Sequence, residues 1–163
     1  MKIKMNLQIV FVIVILIVGM FSACSSGNPS IGENEVEMVN GEKVAIIAHR
    51  GARSLAPENT MSAAVKAFES GADGWELDVA MSRDGEVVLI HDDTLERTSN
   101  VQAVFPDRSP WSVYDFTYDE LTQLEFGSWF VDSDPFDQIA EGNISDADIK
   151  HYQSEQIPTL REA

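Results

Sequence analysis

The chain has 163 residues, a formal net charge of −16 and one Cys. This length corresponds to one domain rather than two, and a single Cys excludes an internal disulfide. Because 27 acidic residues outnumber 11 basic ones, the surface repels nucleic acid at long range, and we expect no nucleic-acid partner.

The first residues have the layout of a secretory signal peptide. A short basic head is followed by an apolar run over 9–21 and then by small residues. The run is shorter than the roughly 20 apolar residues that a transmembrane helix needs. The segment resembles a bacterial lipobox, with Phe21 where Leu is usual, so we expect residues 1–23 to be removed and Cys24 to be acylated. The alternative is an uncleaved anchor. In both cases we expect an extracytoplasmic, membrane-anchored protein.

A polar, acidic stretch over residues 24–43 has the composition of a flexible tether, and the globular pattern covers residues 44–163. The apolar run 44–48 predicts a buried strand. Asn59 or Thr60 then caps a helix that reaches about Ser70, with Ala64, Phe68 and Val65 turned inward and Gly71 as its stop. Two further strands follow, over 75–79 and 87–90, separated by an Asp84-Gly85 turn.

The second half of the chain is predicted to be more irregular. Thr117 and Glu120 form a capping box that opens a helix to about Phe126, followed by Gly127. Residues 131–156 are acidic and weakly patterned, and we interpret them as a surface insertion. Thr159 and Glu162 form a second capping box, whose helix we expect to continue past the last residue. This order of elements favours an α/β fold built on a parallel sheet.

Charged side chains follow or interrupt the predicted strands. His49 and Arg50 follow the first strand, Glu76 and Asp78 lie on the second, and His91 ends the third. The carboxyl ends of parallel strands meet at one edge, where ligands bind.

Glu76 and Asp78 are two residues apart on a strand, so their carboxylates point to the same side. Such a pair favours a cation between its members, and oxygen ligands select Mg²⁺, Ca²⁺ or Mn²⁺ over Zn²⁺. The alternative is a solvent-facing acidic edge.

Two histidines are suited to acid/base work near neutral pH. A two-residue turn at Asp84-Gly85 would place Asp78 opposite His91, whereas a parallel arrangement would reach the same proximity by another path. One of His49 and His91 would accept a proton while the other donates one, and Arg50 would bind a phosphate oxygen. The alternative is that both are satisfied core histidines. Asp92, Asp93 and Arg97 follow His91 in a polar loop that could line the site, but we favour a solvated loop.

Several motifs occur together in the order and spacing of a known family. They are His49-Arg50-Gly51, Pro57-Glu58-Asn59-Thr60, Glu76-Leu77-Asp78-Val79, Asp84-Gly85, His91-Asp92, 126–130 and 157–160. The chain therefore resembles the glycerophosphodiester phosphodiesterases from about Val44 to Leu160. The resemblance implies a (β/α)₈ TIM-type barrel, of which only the N-terminal part is present here.

The resemblance also implies a reaction, the hydrolysis of a small-molecule glycerophosphodiester to glycerol 3-phosphate and an alcohol. It implies that His49 and His91 are catalytic and that Arg50 contacts phosphate. Glu76 and Asp78 would hold a divalent ion, Ca²⁺ or Mg²⁺, and Glu58 would lie near the site.

Two other functions stay open: a non-catalytic surface lipoprotein that binds metal or a phospholipid headgroup, and a phospholipase of related barrel type. The family's third metal carboxylate lies on a later strand, so we expect it beyond residue 163. We accordingly expect these 163 residues alone to be inactive.

Overall fold

The computed structural model describes the backbone at 14–16, 38–39 and 42–43 and every residue from 44 to 163. Cys24 and most of residues 1–43 lie outside the described residues, so the signal peptide, the acylation site and the tether remain predictions. Among the helices that are described, none has the length and apolar character needed to cross a bilayer.

The strands form three small sheets. The strands are β1 (Val14–Leu16), β2 (Met38–Val39), β3 (Glu42–Lys43), β4 (Ile47–His49), β5 (Gly74–Leu77), β6 (Val79–Met81) and β7 (Val87–Leu89). The first sheet has the order β1-β5-β4, in which β4 and β5 are parallel and β1 is antiparallel to β5. The pairs β2-β3 and β6-β7 are both antiparallel. The predicted parallel sheet is thus represented by β4 and β5, and the described strands form no closed barrel.

The helices are short. They are α1 (Met61–Glu69), α2 (Val101–Val104), α3 (Tyr118–Leu121), α4 (Ser128–Ser133) and α5 (Asp146–Tyr152), with 3₁₀ turns at Pro106–Arg108 and Val113–Asp115. The capping box before α3 is formed in both directions, as predicted. However, α3 ends at Leu121 rather than near Phe126. The Thr159 and Glu162 groups also bond reciprocally, which confirms the second capping box.

Helix α1 begins and ends as predicted but turns a different face inward. The Thr60 hydroxyl accepts from the Ala63 N–H at 3.2 Å, and Gly71 follows the helix with φ +78°. The buried residues include Ala63 and Ala67, whereas Phe68 is 81% exposed. The inward assignment of Phe68 and Val65 was therefore wrong. The physical reason is close packing against the preceding loop, which only the small side chains of this face permit.

The β6-β7 hairpin has a three-residue loop, Arg83 to Gly85, instead of the predicted two-residue turn. The Ser82 N–H donates to the Glu86 carbonyl at 2.8 Å, and Gly85 has φ +92°, a conformation that Gly adopts without cost. The extra residue shifts the register by one. Asp78 therefore lies opposite Ile90, whose N–H donates to the Asp78 carbonyl at 3.0 Å, and the expected Asp78–His91 pairing was wrong.

The larger core lies beneath this hairpin and includes Val88, Leu95, Phe116, Leu121 and Leu124, all of them buried. The segment after Pro158 runs beside β7, where the Leu89 N–H donates to the Pro158 carbonyl at 2.9 Å. Strand β7 is thus held on both sides, by β6 and by the C-terminal segment, which fixes the position of His91 just beyond its end.

The segment 131–156 contributes to a second core. Ile144 and Tyr152 are buried with Ala56, Ala63 and Phe130. The Tyr152 hydroxyl donates to the Leu55 carbonyl at 2.9 Å. The segment therefore supports the loop that follows β4, although its status as an insertion remains a prediction.

Strand β4 differs from the predicted buried strand. It spans Ile47–His49, and Ile46 and Ile47 are 58% and 41% exposed. The reason is that β4 lies at the edge of the described sheet, with β5 as its only neighbour there.

Candidate active site

The parallel pairing of β4 with β5 places His49 directly beside Glu76. The His49 Nε2 atom lies 3.7 Å from Glu76 Oε2, and the imidazole is 54% exposed. Immediately after β4 the chain turns sharply, with Arg50 at φ +57° and Gly51 at φ +76°. A left-handed backbone at a non-glycine residue is uncommon and costs free energy, so the structure around Arg50 must hold this turn in place.

The Arg50 turn is held against both predicted metal carboxylates. The Arg50 backbone N–H donates to Glu76 Oε2 at 3.0 Å, and the guanidinium Nε lies 3.3 Å from Asp78 Oδ2. The Nε–H is buried and does not have the geometry of a hydrogen bond to that oxygen. Glu76 and Asp78 therefore do point to the same side, as their spacing predicted, and Arg50 lies against that side.

Asn59 fixes the Asp78 carboxylate. The Asn59 amide nitrogen donates to Asp78 Oδ2 at 3.1 Å, and the Asp78 backbone N–H donates to Asn59 Oδ1 at 3.0 Å. Asn59 is buried and has φ +56°, and its own N–H donates to the Arg50 carbonyl at 3.0 Å. Asn59 thereby joins the loop after β4 to the end of β5. The helix cap is Thr60, and sequence reasoning missed the role of Asn59.

Glu58 lies between two guanidinium groups. Its Oε1 atom accepts from Arg50 Nη1 at 3.0 Å and from Arg97 Nη2 at 2.6 Å. The side chain is only 9% exposed. Burial opposes ionisation, but the hydrogen bond and charge of Arg97, together with Arg50, lower the pKa of Glu58. Glu58 is therefore an ionised carboxylate that positions two arginines.

His91 belongs to a second chain of contacts. Its Nδ1 atom lies 2.7 Å from Asp92 Oδ1, and Arg97 donates to both Asp92 oxygens, from Nε at 2.6 Å and from Nη2 at 3.0 Å. The hydrogen bond from Arg97 is the main cause that lowers the pKa of Asp92 to about 2. The loop 92–97, for which the sequence favoured a solvated position over one that lines the site, is therefore part of the site network.

The two groups of contacts meet at a small cavity. Its lining includes Glu58, Asn59, Thr60, Ile90, His91 and Thr98. His91 and the loop after β4 thus share one cavity wall, and Arg97 bridges Glu58 to Asp92 beside it. His49, Arg50, Glu76 and Asp78 are brought together directly, whereas His91 joins them through Asp92, Arg97 and Glu58.

The two carboxylates have the chemistry of a partial site for a hard divalent cation. The hydrogen bonds and ion pairs of these carboxylates with described residues involve Glu76 Oε2 and Asp78 Oδ2, and the two side chains are 17% and 14% exposed. Mg²⁺ sites commonly use one or two carboxylates, with waters and substrate phosphate completing the shell. Across residues 44–163, no three His, Cys, Asp or Glu side chains are grouped closely enough to form a metal site by themselves.

Comparison with known proteins gives a consistent result. Residues 49–163 match the Glycerophosphoryl diester phosphodiesterase family. Glycerophosphoinositol inositolphosphodiesterase GDPD2 of Mus musculus is 42% identical over 120 residues, which are 74% of this chain and 22% of the mouse protein. A glycerophosphodiester phosphodiesterase of Caldanaerobacter subterraneus is 38% identical over 120 residues, covering 74% of this chain and 39% of that protein.

Solved structures agree with this assignment. A glycerophosphodiester phosphodiesterase from Agrobacterium tumefaciens matches with a TM-score of 0.53 and 34% identity, over 71% of this chain and 39% of the other. An Oleispira antarctica phosphodiesterase, solved with the product sn-glycerol-3-phosphate, matches with a TM-score of 0.54 and 34% identity, over 73% and 38%. These enzymes are TIM barrels, and the family generally uses divalent metal ions.

The matched region is a part of each relative. This chain spans 22%, 28% and 20% of the first three curated relatives that it matches. The family match nevertheless covers well over half of the chain and includes every site residue from His49 to Arg97. The chain belongs to the glycerophosphoryl diester phosphodiesterase family.

Proposed function

We propose that the protein hydrolyses glycerophosphodiesters to glycerol 3-phosphate and an alcohol by metal-dependent, two-histidine acid/base catalysis. The observation that carries the proposal is the convergence of His49, Arg50, Glu76 and Asp78 at the ends of two adjacent parallel strands. Support also comes from a related phosphodiesterase that was solved with sn-glycerol-3-phosphate.

Arg50 is the residue that would bind the phosphodiester. Its guanidinium is oriented by Glu58 at 3.0 Å and retains a buried Nε–H without a hydrogen-bond partner among the described residues. The guanidinium would donate charge-assisted hydrogen bonds to an anionic phosphate oxygen, and bonds of this kind are strong. A divalent cation held by Glu76 and Asp78 would neutralise the phosphate and stabilise the charge that builds on it during the reaction.

His49 and His91 would move the protons. Both imidazoles are accessible, at 54% and 40% exposure, and each has a carboxylate neighbour, Glu76 for His49 and Asp92 for His91. One histidine removes the proton from the attacking oxygen, and the other supplies a proton to the leaving alcohol.

The test is the release of glycerol 3-phosphate from glycerophosphocholine and glycerophosphoinositol by the intact protein. His49→Ala and His91→Ala should each lower kcat by about 10²- to 10⁴-fold, the range of general acid–base catalysis. His151→Ala is the matched control because His151 is exposed and lies on α5 beside Glu155, outside the site, so its rate should match the wild type. A chelator should abolish activity, and Ca²⁺ or Mg²⁺ should restore it.

Three results would contradict the proposal: near-wild-type rates in both histidine variants, full activity in excess chelator, or cleavage of intact phospholipids in preference to glycerophosphodiesters. The last result would instead favour the phospholipase function, whereas metal binding without hydrolysis of either substrate would favour the binding protein.

We also propose that Cys24 is acylated and anchors the protein to an extracytoplasmic membrane face. The support is the order of basic, apolar and small residues before Cys24. Cys24→Ser should move the protein from the membrane fraction to the soluble extracytoplasmic fraction and abolish labelling by a fatty acid. Unchanged membrane association of this variant would contradict acylation and favour the uncleaved anchor.

A further inference from the structure

We infer that Arg97 is a positioning residue that fixes the tautomer of His91 through Asp92, so that Nε2 is the ring nitrogen of His91 that exchanges a proton with substrate. This inference rests on the proposed function, because it assigns one atom of His91 to the reaction. It concerns a residue in the polar loop that follows His91.

The contact between His91 and Asp92 determines which ring nitrogen carries a proton. Nδ1 lies 2.7 Å from Asp92 Oδ1, which is within hydrogen-bond range. An ionised carboxylate can only accept, so the hydrogen of this bond must belong to Nδ1. In neutral His91 the lone pair is then on Nε2, and Nε2 is the atom that can remove or return a proton.

Arg97 keeps Asp92 in the ionised and accepting state. Its Nε and Nη2 atoms donate to the two oxygens of the same carboxylate, at 2.6 and 3.0 Å. Such a two-point contact fixes the plane of the carboxylate as well as its charge. Without it, Asp92 could rotate away from Nδ1, and the imidazole of His91 would lose the hydrogen bond that selects its tautomer.

Arg97 is itself held from two further directions. Its Nη2 atom donates to Glu58 Oε1 at 2.6 Å, and its guanidinium carbon lies 5.5 Å from the ring centre of Trp129, within range of a cation–π contact. Glu58 also orients Arg50. The Arg97 guanidinium therefore connects Arg50, which would bind phosphate, to His91, which would move a proton. Loss of Arg97 should disturb both residues.

The test uses the intact protein with ¹⁵N-labelled histidine, and the His91 ring nitrogens are assigned with His91→Gln. At a pH where the ring is neutral, the wild type should show a protonated Nδ1 and an unprotonated Nε2. Arg97→Gln and Asp92→Ala should each shift His91 toward the Nε2–H form that free histidine prefers. Arg83→Gln is the matched control because Arg83 is also an exposed arginine in an ion pair, and it should leave the His91 signals unchanged.

A kinetic readout accompanies the spectrum. Arg97→Gln should lower kcat on the order of tenfold to a hundredfold, because general acid–base catalysis supplies about 10²- to 10⁴-fold and His91 remains present but misoriented. Arg97→Lys retains the charge without the two-point geometry, so it should recover only part of the rate.

The failures of the two proposals are distinguishable. A wild type with the Nε2–H form of neutral His91, or an Arg97→Gln variant with wild-type ring signals, would overturn the inference even if the protein is an active phosphodiesterase. If Arg97→Gln does not fold, Arg97→Lys is measured in its place; it should show a mixture of the two His91 tautomers, and unchanged ring signals in it would overturn the inference. A wild type with protonated Nδ1 that hydrolyses no glycerophosphodiester would instead overturn the proposed function.

Discussion

Replacing Gly51 by Ala should destabilise the protein strongly, because the site-bearing turn lies directly on helix α1. A Cβ atom at position 51 would lie 2.6 Å from Ala63 Cβ and 2.7 Å from the Ala63 carbonyl carbon. Neither contact is with the far end of a flexible side chain, so the helix or the turn must move. Gly51 also has φ +76°, where a side chain adds strain of its own.

The expected loss of stability has two contributions, backbone strain and overpacking, and a control variant separates them. Ala in a left-handed conformation costs about 1–2 kcal/mol. Overpacking in a close-packed region costs about 1–3 kcal/mol more. Gly85→Ala is the matched control because Gly85 has φ +92° but no atom within 4 Å of the position that a Cβ would occupy. We therefore expect a loss of about 2–5 kcal/mol at position 51 but only about 1–2 kcal/mol at position 85.

The assay is equilibrium urea unfolding of the intact protein, followed by tryptophan fluorescence, with the free energy of unfolding taken by linear extrapolation. Trp75 on β5 and Trp129 beside Arg97 report on the site region. Equal losses in Gly51→Ala and Gly85→Ala would refute the close approach of the turn to α1 and leave only backbone strain.

Two other perturbations test the contacts around the site. Asn59→Gly retains the left-handed backbone but leaves the Asp78 N–H unpaired and removes one contact of the Asp78 carboxylate, so it should cost about 1–3 kcal/mol in the same unfolding assay. Asp137→Gly, at an exposed residue with φ +57°, should be near neutral. Asp92 has a pKa of about 2 against an ordinary 3.8, so its contribution is complete above about pH 4 and is lost as the pH falls toward 2. The stability difference between wild type and Asp92→Asn should therefore shrink over that interval, and a constant difference would contradict the Arg97 contact.

Local signals in the sequence predicted where α1 and α3 begin and where α1 ends. The hydroxyl cap at Thr60, the capping box at Thr117 and the left-handed Gly71 depend on residues within one helical turn, and the structure contains all three. The face of α1 was predicted wrongly because Val65 and Phe68 are exposed, whereas the small residues Ser62, Ala63 and Ala67 are buried. That choice depends on the close approach of Gly51, which is distant from most of the helix in sequence and leaves no periodic signal.

The sequence likewise predicted only part of the site. His49, Arg50, Glu76 and Asp78 were recognisable because each lies at a strand end. The role of Asn59 was not recognisable, because its partner Asp78 is 19 residues away in the chain. The sequence left Asp92 and Arg97 between a solvated loop and the site lining, because the contact that joins Arg97 to Glu58 crosses 39 residues. The prediction of a two-residue turn at Asp84-Gly85 also placed His91 opposite Asp78, where the structure has Ile90. The third loop residue shifts the pairing of β6 with β7 by one residue, although the Asp-Gly motif is the same in both turns.

The measurement that tests the central claim most directly is paramagnetic broadening of the histidine ring signals by Mn²⁺, an ion that carboxylate sites accept. If Glu76 and Asp78 hold the ion beside the imidazoles of His49 and His91, substoichiometric Mn²⁺ should broaden the signals of both while His151 stays sharp, and Asp78→Asn should weaken the effect. Equal broadening of all three histidines, or none at His49 and His91, would contradict a metal site at the ends of β4 and β5.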